Sequence, residues 1–146
     1  MKSNNLHVVS GATSATSASS PGFWRAWAPV FFICAGIFAA SSLPATSLPK
    51  TLLFPHQDKV EHGFVYAVLG FFVARAWALR RKAGTAWPLV VVAALFALGF
   101  GASDEFHQWF VPGRSVDAFD LLADVTGGLL GGGLGAMWAS RRQPPR

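Results

Sequence analysis

One cysteine and seven acidic residues are all that a chain of 146 residues contains of either kind. The lone thiol, Cys34, lies inside an apolar run, which excludes a disulfide framework and a thiolate metal site. Charged residues make up only 13% of the chain, where a soluble domain carries about a quarter. The formal charge of +5 and a pI near 10.2 raise the question of nucleic acid. No basic face interleaved with aromatics exists, however, so no nucleic-acid partner is expected. Hydrophobic residues make up 52% and the mean hydropathy is +0.39. The balance is that of an integral membrane protein of one domain, with the lipid bilayer as its first partner.

Residues 1–22 are a Ser/Thr/Ala/Gly stretch without periodicity and are expected to be a disordered tail. No short apolar core with a cleavage site follows, so a secretory signal is not expected. Residues 23–140 form the expected transmembrane domain, and 141–146 a basic tail. The first apolar run, 24–43, has no charge after Arg25 and is long enough to cross a bilayer, with Pro29 near its start. A Pro-containing loop, 44–57, follows. A second helix is expected over 58–79, with Arg75 snorkelling toward Arg80, Arg81 and Lys82. The third, 86–103, carries Pro88 in its first turn, and its helical character extends into the aromatic stretch 106–110. Val111-Pro112-Gly113-Arg114 fits a tight turn, with proline second and glycine third. Ser115 or Asp117 then caps a fourth helix reaching about Ala139. The expected fold is all-α: a four-helix transmembrane bundle, antiparallel and up-down.

Nine of the twelve basic residues fall on the side shared by the two termini and the loop after the second helix. The positive-inside rule therefore places both termini in the cytoplasm. All seven acidic residues fall on the outward half, as do three of the four histidines. Two polar clusters should meet there. Asp58, Lys59, His62 and Tyr66 open the second helix, and Asp104, Glu105 and Gln108 close the third. Arg114, Asp117, Asp120 and Asp124 lead into the fourth. The dipole at a helix N-terminus favours Asp117 and Asp120, but it opposes Asp104 and Glu105 at a C-terminus. Below the acids, Gly127, Gly128, Gly131 and Gly135 repeat at steps suited to close helix packing.

The motifs resemble those of the VanZ-like family of small bacterial membrane proteins. Asp58-Lys59-x-x-His62 with Tyr66 and Gly70 is similar to its first motif. Glu105-x-x-Gln108, Pro112-Gly113-Arg114, Asp117, Asp120, Asp124 and Gly127-Gly128 are similar to its second, and Ser41-Ser42-x-Pro44 fits the exit from the first span. Gly63 stands where a larger apolar residue is expected, and Asp124 where asparagine is common. The family's founding member is associated with low-level resistance to the glycopeptide teicoplanin. The resemblance therefore implies a cell-envelope setting and a lipid-linked or glycopeptide-related ligand, and it implies no reaction.

Four readings of the cluster remain open, and whether the protein is an enzyme stays undecided with them. It is a buried charge network in which Arg114 and Lys59 neutralise carboxylates. Or it binds a phosphate-bearing or lipid headgroup, with Glu105 or His62 as the candidate catalytic residues. Or it serves a proton- or ion-coupled transporter or flippase-like subunit. Or His62, His107, Glu105, Asp120 and Asp124 hold a divalent metal. That last set lacks any ligand-spacing signature, so neither a metal nor a cofactor is expected. His107, among Phe106, Trp109 and Phe110, reads as interfacial, and a homo-oligomer is compatible with the sequence. The charge asymmetry predicts that Thr46→Cys and Ser115→Cys, on a Cys34→Ala background, label with an impermeant thiol reagent outside spheroplasts. Gly84→Cys stays unlabelled, and the reverse pattern would invert the orientation.

Overall fold

A computed structural model of the chain describes residues 22–47, 54–81 and 85–142. The expected N-terminal tail (apart from Gly22), residues 143–146 of the expected basic tail and Lys82 lie outside the described residues. The described residues form four α-helices: α1 (Phe23–Ser41), α2 (Gln57–Arg80), α3 (Trp87–Gln108) and α4 (Ala118–Ser140). A single 3-10 turn, Ala45–Ser47, follows α1, and no strand occurs among the described residues.

Helix ends differ from the sequence expectation in instructive ways. α1 stops at Ser41, short of Leu43. The Ser42 hydroxyl donates back to the Phe38 carbonyl at 2.6 Å, and Pro44 cannot continue the ladder. Pro29 lies in the second turn, not the tolerant first one, and deprives the Arg25 carbonyl of its helical donor. α3 runs through Glu105 to Gln108, so both acids of that segment are helical. The next turn is a type II turn: the Arg114 N–H donates to Val111 O at 3.1 Å, and Gly113 takes φ of 76° behind Pro112. Of the two candidate caps, Asp117 serves α4. Its Oδ1 accepts the Phe119 N–H at 2.8 Å.

α4 is the helix the others are arranged around. Its glycines sit on two adjoining faces. Gly127, Gly131 and Gly135 meet the α2 backbone at Gly63–Ala67, Ala67–Phe71 and Phe71–Arg75 in turn. Both residue series ascend, so α2 and α4 run side by side in the same direction. Gly128 and Gly132 face Ala97, Ala93 and Val90 of α3, where the series descends, so α3 runs oppositely. α1 packs mainly on α2, and its start lies by the end of α2, where Trp27 and Trp77 meet edge-on.

The core is made of small residues: Ala74, Ala76, Ala93, Ala97 and Ala136, with Leu69 and Val73. Large apolar side chains point outward instead, Phe32 being 79% and Leu130 64% exposed. Such an inverted distribution suits lipid and not water. α1, α2 and α3 are long and apolar enough to cross a membrane. α4 has 23 residues, long enough to span, but its acids and glycines lower its apolarity. At the end of α2 and α4, Arg81 lies over Trp77 and Arg142 over Trp138, at 4.7 and 4.4 Å. Arg75 also turns to Trp138, at 5.5 Å, and to Phe72, so an aromatic ring and not the basic run receives it.

A β-carbon at Gly131 would overlap the Ala67 carbonyl, whereas one at Gly133 meets nothing within 4 Å. Gly131→Ala should therefore destabilise the protein by about 1–3 kcal/mol or more. Gly133→Ala should be neutral or stabilise it by up to about 1 kcal/mol through helix propensity. Melting of the purified variants in detergent compares the two.

Candidate functional site

The turns at one end of the bundle place polar side chains from all four helices in a single layer. The end of α3 contributes Asp104, Glu105 and Gln108, all buried. Asp104 is fully engaged: Ser41 Oγ donates to its Oδ1 at 2.5 Å, and Gln108 Nε2 to its Oδ2 at 3.1 Å. Those donors compensate a carboxylate that the α3 dipole would otherwise repel. Glu105 Oε2 accepts the Asp117 N–H at 2.8 Å, which ties the end of α3 to the cap of α4. Its Oε1 has no hydrogen-bond partner, although the residue is 5% exposed.

Lys59, in the first turn of α2, is the cation of the layer. Its Nζ lies 2.5 Å from Asp117, 2.7 Å from Asp120 and 2.8 Å from Asp58. The Asp120 oxygen is close enough to pair with the ammonium, though not aligned for a hydrogen bond. Beside that ammonium, the Asp117 carboxyl is held below its ordinary range, with the Phe119 N–H adding to the effect. One turn deeper, His62 Nδ1 and Asp124 Oδ1 are 2.9 Å apart. Asp124 is 1% exposed, and its Oδ2 has no partner. That oxygen lies over Gly101 of α3, where any β-carbon would come within 2.6 Å of it. Tyr66 stacks on His62 with ring planes 4° apart, and its buried hydroxyl is also unpartnered.

Arg114 has a different task. Its Nε donates to Leu43 O at 3.2 Å and its guanidinium to Ala40 O at 3.3 Å, so it caps the C-terminus of α1. Among the described residues it forms no ion pair with any carboxylate. The idea that Arg114 neutralises the acids is therefore corrected. The carbonyls freed where α1 stops recruit it first. His107 stacks on Phe38 and shares a 3.0 Å contact with Ser42, away from His62. Among the described residues, no three His, Cys, Asp or Glu side chains are arranged to hold a metal ion.

With this arrangement in view, one comparison is decisive. The family model described as VanZ/LLP1 matches residues 23–139, most of the chain. The chain belongs to the VanZ/LLP1 family. No curated protein and no solved structure matches it. Both VanZ-like motifs contribute to the polar layer: the first supplies Lys59, His62 and Tyr66, the second Glu105, Arg114, Asp117, Asp120 and Asp124. Sequence reading missed Ser41 as a partner of Asp104 and Gly101 as the space for Asp124. Gly101 had a usable signal, since it sits one helical turn before Glu105 on the same face.

Removing Lys59 strands two partly buried carboxylates. Lys59→Met should lower stability by about 1–3 kcal/mol, and adding Asp120→Asn should recover part of that loss. Thermal melting followed by tryptophan fluorescence measures both.

Proposed function

We propose that this VanZ/LLP1 protein lies in the cytoplasmic membrane of a bacterium, with both termini inside, and binds the headgroup of an envelope lipid in an outward-facing acidic chamber. The asymmetry of basic residues supports the orientation, as does the Arg–Trp girdle at the end opposite the acids. The envelope setting follows from the family's association with glycopeptide resistance.

One observation carries the choice of ligand. Both cations near the layer are already committed, Lys59 to three carboxylates and Arg114 to the carbonyls of α1. The buried atoms without partners include acceptors, Glu105 Oε1 and Asp124 Oδ2, with the Tyr66 hydroxyl beside them. The chamber therefore suits N–H or O–H donors, such as an ammonium or sugar hydroxyls, and not a bare phosphate. A purely structural network is the second reading. It is favoured by Asp104, both of whose oxygens are satisfied within the fold.

The two readings separate on lipid addition to the purified protein. Phosphatidylethanolamine or a glucosyl diacylglycerol should raise the melting temperature by several degrees. Phosphatidylcholine and phosphatidic acid should not. Glu105→Gln keeps an acceptor for the Asp117 N–H, so it should fold with nearly unchanged melting and lose that lipid response. Stabilisation by phosphatidic acid alone would overturn donor recognition. Indifference to every lipid, with a lower melting temperature for Glu105→Gln, would leave the structural network.

A further inference from the structure

An imidazole has two ring nitrogens, each able to hold a partner. His62 uses one. Its Nδ1 faces Asp124 Oδ1 at 2.9 Å, while Nε2 has no hydrogen-bond partner among the described residues, and the side chain is 21% exposed. We infer that His62 is a proton-accepting residue, with Nε2 open to the chamber and Asp124 as the positioning residue behind it. The inference rests on the headgroup reading, because the proton comes from a donor that the chamber admits.

The surroundings fit this role. Asp124 is 1% exposed, so its carboxylate acts on the imidazole through a poorly screened bond. A carboxylate on one ring nitrogen selects the tautomer with that nitrogen protonated and leaves the other bare and more basic. The ring is kept in plane by Tyr66, stacked at 6.4 Å. Independent of the acids themselves, the Tyr66 hydroxyl is a buried polar group without a partner. A second donor or acceptor of the ligand would satisfy it.

Acidic groups from two neighbouring helices face His62. α4 contributes Asp124 and Asp120, with Asp117 at its cap, and α3 contributes Glu105. On α2 itself, Lys59 and Asp58 lie one turn toward the outer surface. The step is a simple transfer. An ammonium, hydroxyl or water gives its proton to Nε2, its lone pair is freed, and the resulting imidazolium pairs with the Asp124 carboxylate. Return of the proton to outer water resets the site, with no oxidant or co-reactant.

Nitrogen NMR of histidine-labelled protein in detergent micelles tests this directly, with the His62 signal assigned by its loss in His62→Gln. The neutral ring should appear as the Nδ1–H tautomer with a bare Nε2, and should take up one proton as the pH is lowered. Diethyl pyrocarbonate should carbethoxylate His62, read by peptide mass spectrometry, several-fold faster than His107. Asp124→Asn should abolish the tautomer preference. An Nε2–H tautomer, a ring that takes up no second proton on acidification, or a His62 as unreactive as His107 would overturn the inference. Failure here with the lipid response intact would leave headgroup binding standing. Loss of the lipid response with an intact titration would remove the ligand as proton source.

Discussion

The backbone contact between α2 and α4 is the constraint on which everything else depends. Helices joined through side chains stand about 8–10 Å apart. Here Gly127, Gly131 and Gly135 let α4 lie directly on the carbonyls and amides of α2. Without a hydrophobic driving force between helices in lipid, such close packing supplies much of the association. It also sets register. With Gly127 on Gly63, the preceding turns bring Asp124 against His62, and Asp117 and Asp120 against Lys59. The seam positions the site from one helical turn away.

Parallel alignment of these two helices has an electrostatic consequence. Two N-termini lie side by side, and their positive dipole ends would repel in a medium of low dielectric. Asp58, Asp117 and Asp120 stand at those ends and offset the repulsion, while Lys59 binds the three acids together. The complementary ends belong to α1 and α3, whose carbonyls call for positive charge or donors. Arg114 meets that need for α1. α3 carries Asp104 and Glu105 instead, held by Ser41, Gln108 and the Asp117 amide. Only the first of these two acids has both oxygens satisfied, and that difference separates a structural carboxylate from one with capacity to spare.

Much of this was legible in the sequence. Apolar run length and proline placement located four helices, because crossing a bilayer demands about twenty residues and tolerates few charges. Pro112-Gly113 specified its turn, since only glycine readily takes a positive φ there. The acids, His62 and the glycine repeat could be assigned to common faces from helical periodicity alone.

Tertiary structure decided the pairings. Periodicity puts Asp120 and Asp124 on one face but does not say that the first meets Lys59 and the second His62. That follows from the offset of α4 along α2, a property of two surfaces in contact. Nor does it show that Arg114 serves the end of α1, because the carbonyls it caps are exposed only where Ser41 and Ser42 let the helix stop. The room for Asp124 over Gly101 belongs to a third helix, far away along the chain. Local sequence determines which groups line a helix face, whereas their partners depend on approach distances that only the packed bundle supplies.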